Sequence, residues 1–209
     1  MGIDISGLSK ACRVAKRHSD EICDKEDHYP VSNYRKLLDG LKSGCYVCDG
    51  KSFYLGITYI GFDNWRDALS LIVYGVPAQE VFDNPKRFKG RPFVELVTLP
   101  FTNNIGIGPT TSAKLYEDFT KHSARVKRGF QLLAAEAVSQ RGKRKKHRPT
   151  LESDGSKAVK LIANAIGGVA TMGDHDPNSI NWEWKWKIYR DFRRAFKLAC
   201  DDGIVLLSI

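Results

Sequence analysis

The sequence holds no apolar run approaching the roughly 20 residues that a membrane-spanning helix requires. Its opening, MGIDISGLSKACRVAKR, also lacks the apolar stretch of a secretory signal. These absences predict a cytoplasmic chain with no membrane partner. Gly2 followed by Ser6 satisfies the loose N-myristoylation pattern, a match so short that chance supplies it readily. Cysteine is odd in number: Cys12, Cys23, Cys45, Cys48 and Cys200. No spacing pattern suggests a disulfide framework, so reduced thiols are expected.

Catalytic signatures are missing too. There is no HExxH, no nucleophile-elbow serine and no Gly-Lys-Thr or Gly-Lys-Ser to close a phosphate-binding Walker loop. Cys45-x-x-Cys48 is half a zinc site, and neither a second such pair nor an HxxxH completes it. The pair falls in or before a strand, where positions i and i+3 point to opposite faces, so two unrelated half-buried thiols are expected. Asp174-His175-Asp176 and Glu95 are acid and base types without an evident partner set. His122 and His147 sit among basic residues and read as surface groups. A binding protein without a cofactor is favoured over an enzyme, with a hydrolase or nuclease as the remaining catalytic reading.

What the chain has is positive charge and aromatic side chains. The formal net charge is +9, which favours acidic partners such as nucleotides and nucleic acid. Six Lys or Arg stand in the eight residues from Arg141 to Arg148, and without them the net charge falls to about +3. Apolar residues make up 42%, enough for one self-sufficient core, so a single domain over 1–209 is expected. Residues 141–157 read as a flexible basic linker or insertion.

Local patterns give the elements. Residues 6–24 read as a polar helix capped by Ser6 or Ser9, and Val31 to Leu41 as a short helix capped by Ser32. Cys45 to Ile60 has high β propensity around an Asp49-Gly50 turn and predicts a hairpin. Trp65, Leu69, Ile72 and Val73 fall at helical spacing between a cap at Asp63 or Asn64 and a stop at Gly75. Pro77 to Pro92 reads as a loop with a brief helix, and Phe93 to Leu99 as a buried strand. Pro109 opens a helix in the first-turn position, continuing to Gln140 with a bend or break near Gly129. A short helix is expected over Lys157 to Ile166. Asn181 to Asp202 predicts a long helix with a stripe of Trp186, Tyr189, Phe192 or Arg193, Phe196 and Cys200, and Ile204 to Ile209 a final strand. Several helices around a small, mostly antiparallel sheet make an α+β chain.

Four places suit binding. The loop from Asn103 to Ser112 brings Gly106 and Gly108 to a helix start carrying Thr110 and Thr111, with Lys114 one turn on. Free amides and the helix dipole at such a place attract phosphate. Tyr59, Trp65 and Arg66 combine aromatic faces with a guanidinium, a set able to stack a base and hold its phosphate. Arg141, Lys143, Arg144, Lys145, Lys146 and Arg148 offer a sequence-independent contact to DNA or RNA. Trp182, Trp184 and Trp186 alternate with lysines and read first as core and core edge. The expected partner is a small phosphorylated ligand or nucleotide, with nucleic acid as the alternative and a homo-oligomer open.

Three segments resemble a group of small, functionally uncharacterised bacteriophage and prophage proteins. They are Tyr59-Ile-Gly-Phe-Asp-Asn-Trp-Arg66, Phe93-Val-Glu-Leu with Ile107-Gly-Pro109 and Ala113-Lys-Leu115, and the ending around Asp202-Gly203. The resemblance spans about residues 59–119 and 186–206. It implies a phage setting and carries no activity with it. Phe101-Thr-Asn-Asn-Ile-Gly106 stands where the group tends to have Ser-Asp-Cys-Glu-Gly, so acidic roles of that loop do not transfer.

Overall fold

The computed structural model describes residues 2–13, 28–31, 36–100, 104–144 and 181–208. In chain order the elements are β1 (Gly2–Leu8), β2 (Ala11–Arg13), β3 (His28–Pro30), β4 (Lys36–Leu37), β5 (Cys45–Cys48) and β6 (Ser52–Thr58). Then come helices α1 (Tyr59–Tyr74) and α2 (Ala78–Asp83), a 3-10 turn (Pro85–Phe88) and the single turn α3 (Val94–Val97). Strand β7 (Ile105–Ile107), helices α4 (Pro109–Lys121), α5 (Ser123–Arg144) and α6 (Trp182–Ala199), and strand β8 (Ile204–Ser208) complete the chain. The architecture is α+β, as the patterning predicts.

The chain divides into two compact units. The first comprises residues 1–59, 99–121 and 189–209, and the second residues 60–98 and 122–188.

The first unit holds both sheets. The larger has the order β4-β7-β8-β1-β6, antiparallel except for the β4–β7 pair. Ile3 and Ile5 of β1 are buried while Gly2 and Asp4 are exposed, the alternation of a strand with one covered face. Strand β8 is buried from Ile204 to Leu207, as a central strand covered on both faces must be. One cover is aromatic: Phe119 of α4 meets Tyr189, Phe192 and Phe196 of α6 at ring distances of 4.6, 6.3 and 5.8 Å. Each such ring contributes roughly 1.5–3 kcal/mol on burial. The Tyr189 hydroxyl donates to the Phe119 carbonyl at 2.7 Å, and burial pushes its pKa up. On the other side Leu8, Ile204 and Leu206 pack with Val31 and Tyr46, against the smaller sheet β2-β5-β3.

Several expectations change here. Residues 6–13 are strand and turn, because residues 2–8 pair with β6, residues 4–8 pair also with β8, and the strand buries Ile3, Ile5, Gly7 and Leu8; residues 14–24 lie outside the described ones. Residues 36–37 are strand, in parallel pairing with β7, where a helix is expected. The predicted hairpin forms its two strands and no hairpin. Strand β5 pairs with β2 and β3, whereas β6 pairs with β1 in the other sheet. Cys45 is disulfide-bonded, while Cys12, Cys48 and Cys200 are free thiols, so the expectation of reduced cysteines holds for those three only.

In the second unit α1 buries Trp65 and Leu69 as the helical spacing predicts, together with Phe62, while Ile72 and Val73 are half-buried. The helix starts at Tyr59, a turn before the expected cap. Arg125 donates to the carbonyls of Ile72 and Val73 at 3.0 and 3.5 Å, placing a cation on the negative end of α1. The Asp67 carboxylate accepts the Ala78 amide at 2.9 Å and so orients α2. Phe93 to Leu99 is no strand. Phe93 adopts φ 63° and the chain makes the turn α3 instead. The break in the long helical stretch falls at His122, and α5 runs unbroken through Gly129. The 141–157 linker begins as the last turn of α5 to Arg144, and its remainder, like the 157–166 helix, lies outside the described residues.

Candidate anion-binding pocket

The first unit carries a hollow of about 780 Å³ whose rim comes from three distant pieces of chain. Ser9 and Lys10 follow β1, Gly50 and Lys51 form the turn before β6, and Arg194 and Lys197 lie on α6. Backbone and hydroxyl bonds lock the first two pieces. Ser9 N–H donates to the Lys51 carbonyl at 3.0 Å, and Lys51 N–H donates to Ser9 Oγ at 2.7 Å. A Cβ on Gly50 would stand 2.3 Å from Ser9 Oγ, so only glycine lets the strands approach this closely. The third piece is tied by Lys10 N–H, which donates to the Asp201 carbonyl at 2.8 Å. Lys10 takes a left-handed φ of 50° there.

The charge around this hollow is one-sided. Lys10, Lys51, Arg194 and Lys197 are exposed at its rim, and Asp201 is the acid among them. None of the four cations is in an ion pair among the described residues. The end of α6 opposes them with about half a negative charge. With Asp201 counted, the pocket keeps about two and a half positive charges, sufficient to draw in a phosphate group. The Arg194 guanidinium carbon lies over the Phe53 ring, 4.6 Å from its centroid. The neighbouring Cys48 thiol donates to the Ser9 carbonyl at 3.2 Å.

The sites expected from sequence are disposed differently. Gly106 lies within β7, where its carbonyl accepts the Leu38 amide at 2.9 Å. Gly108 is buried against Asp39. At the start of α4 the Asp39 carboxylate already accepts both the Thr111 amide and its hydroxyl, each at 2.7 Å. Thr110 is exposed beside it, and Lys114 pairs with Asp118 at 3.1 Å. Where a phosphorylated ligand is expected, the helix start holds the chain's own Asp39 carboxylate. Tyr59 is half-buried at the first position of α1.

In the second unit Trp65 is fully buried and its indole N–H donates to the Lys185 carbonyl at 3.0 Å. Arg66 is 4% exposed, held by Asp63 at 3.1 Å and by the Val97 carbonyl at 3.3 Å. Burial lowers the Arg66 pKa, with Asp63 acting against that shift. Their stacking and phosphate-holding faces are thus spent on packing. Trp182, Trp184 and Trp186 are half-buried, the core-edge position expected, with Lys127 5.8 Å from the Trp186 ring. His122 is half-buried, edge-on to Phe93 at 6.0 Å, rather than a surface group.

Arg141, Lys143 and Arg144 belong to the last turn of α5, while Lys145, Lys146, Arg148, His147 and Asp174 to Asp176 lie outside the described residues. Glu95 is in the turn α3, not in a strand. Among the described residues no group of three or more His, Cys, Asp or Glu is placed to hold a metal ion. No helix among them is long and apolar enough to cross a membrane.

Sequence reasoning missed Lys10, Lys51, Arg194 and Lys197. Two signals were present: the Asp49-Gly50 turn, which presents the residue after it, and the i, i+3 spacing of Arg194 and Lys197 on one helix face. The protein class defined by these features is an α+β chain of two units with a cationic surface pocket. No family model, curated protein or solved structure matches the chain.

Proposed function

We propose that the protein binds a small phosphorylated ligand, of nucleotide size, in the cationic pocket of the first unit. The observation that carries this reading is the convergence of four cations, none of them ion-paired among the described residues, on a hollow of about 780 Å³. That volume is in the range of small-molecule sites. Two of the cations are lysines on rigidly tied turns, and the guanidinium carbon lies over the Phe53 ring. Binding without turnover follows from the neighbouring groups. Ser9 Oγ is committed to Lys51 on both sides, and the Cys48 thiol to backbone carbonyls. The role is sequestration, in keeping with an accessory protein of a phage, the setting implied by the resemblance of residues 59–119 and 186–206. We place it in the cytoplasm of a bacterial host. Three free thiols support this, and the Cys45 disulfide is the feature that favours an oxidising compartment.

The test is thermal stability against inorganic phosphate and nucleoside mono-, di- and triphosphates, for the wild type and for Lys51→Glu/Lys197→Glu. A ligand at about 100-fold its Kd stabilises by about 2.7 kcal/mol, so a shift of several degrees is expected in the wild type and little in the variant. A wild-type shift below about 1 °C at saturation, or an equal shift in the variant, removes the reading.

A second reading is favoured by the exposed Arg190, Arg194 and Lys197 of α6, which extend the pocket's charge along one helix face. A nucleic-acid strand would lie along them. It requires affinity that falls steeply with salt and that drops when residues 141–148 are deleted.

A further inference from the structure

The second unit carries an apolar groove of about 880 Å³ between α1 and α5. Leu71 and Ile72 form one wall, and α5 forms the other with Leu132 and Leu133. Leu132 is 60% exposed, one of few large apolar side chains so placed among the described residues. Arg128 and Glu136 bound the α5 wall, and neither has an ion-pair partner among the described residues.

The positions are symmetric about Leu132. Arg128 stands four residues before it and Glu136 four residues after. All three lie on one face of an α-helix, and the two charges are roughly 12 Å apart along its axis. A second α5 laid antiparallel, with its Leu132 opposite the first, brings Arg128 of each copy to Glu136 of the other. A two-fold axis requires self-complementarity of this kind. Ala135, exposed three residues after Leu132, is a small residue beside the crossing, whereas Gly129, three residues before it, seats Ile72 of α1, whose Cγ1 lies 2.6 Å from where a Cβ would stand.

We propose that this groove is a homodimer interface, in which two α5 helices pair antiparallel about Leu132 with reciprocal Arg128–Glu136 ion pairs. The occupant of each groove is the Leu132 side chain of the other copy, with its neighbours. The contact is independent of the anion-binding reading and involves none of that pocket's residues. One helix face on each side makes a small interface, so self-association in the micromolar range is expected.

The experiment is sedimentation equilibrium of the full chain from about 1 to 200 μM, a span that brackets such an affinity. Wild type should pass from monomer to dimer across it. Arg128→Glu places like charges at both ends of the interface, and so does Glu136→Arg. Each alone should weaken the dimer by about tenfold or more. Mixed in equal amounts, the two single variants should form a heterodimer, because all-acidic and all-basic faces now meet. The double variant Arg128→Glu/Glu136→Arg should dimerise like the wild type. Leu132→Asp should be monomeric throughout. Arg128 and Leu132 are exposed and Glu136 is half-buried, and the charge-swapped double variant controls for a folding defect. A wild type that stays monomeric over the whole range overturns the proposal. So does a larger oligomer, a dimer unaffected by the single reversals, or a mixture of the two single variants that fails to associate.

Discussion

Asp39 closes the start of α4: its two carboxylate oxygens accept the amide and the hydroxyl of Thr111, each at 2.7 Å. The bonds join residues 72 positions apart in sequence, and Asp39 reaches them from a left-handed φ of 60°. Capping by a remote carboxylate satisfies an orphan amide and places negative charge on the positive end of the helix. Asp39→Ala should therefore cost about 1–2 kcal/mol in urea denaturation, with the positive φ adding to the lost cap. Asp39→Asn keeps an acceptor and tolerates the same φ, so it should lose less than half of that. Equal loss in both variants would mean that charge, and not hydrogen bonding or φ, sets the value.

Asp67 predicts a pH dependence. Burial raises its pKa from the ordinary 3.8, and the hydrogen bond from Ala78 pulls it back part of the way. The folded chain therefore holds this proton more tightly than the unfolded chain. Its contribution favours folding below pH 3.8 and is lost as the pH rises through the raised folded value. Asp67→Asn keeps an oxygen for Ala78 and never ionises. It should be more stable than wild type at neutral pH, with the advantage closing towards about pH 3. Denaturant midpoints at the two pH values check this, and a variant less stable at neutral pH contradicts it.

Gly203 marks the tightest approach in the first unit. A Cβ there would lie 1.9 Å from the Leu8 carbonyl oxygen and 2.8 Å from the Ala199 Cα. Both are backbone atoms and neither can step aside. Gly203→Ala should cost about 3 kcal/mol or more. Gly40→Ala, at φ 70° with open space around the site, should cost about 1 kcal/mol. Thermal midpoints of the two variants measured together separate steric from conformational cost. Equal losses would contradict the crowding at Gly203.

Local chemistry was legible wherever the signal was repeated within one element. The stripe Tyr189, Phe192, Phe196 gave α6, the spacing of Trp65 and Leu69 gave α1, and Pro109 gave the start of α4. Asp202-Gly203 announced the turn into β8. The stripe's ends were drawn too wide, since Trp186 and Cys200 are only half-buried while Ile188, Ala195 and Ala199 complete the buried face.

The sequence by itself determined the α+β class, the long aromatic helix, the closing strand and an overall excess of positive charge. Helical stripes, caps and turns are set by residues a few positions apart, and those are printed next to one another in the chain. Tertiary structure alone decided that β5 and β6 part company into different sheets, that residues 2–8 form a strand, and that Phe93 starts a turn. It also decided that Trp65 and Arg66 are spent on packing, and that Lys10, Lys51, Arg194 and Lys197 meet around one pocket. Strand partners and converging charges are chosen by burial and hydrogen bonding between residues tens of positions apart, and no local period encodes that choice.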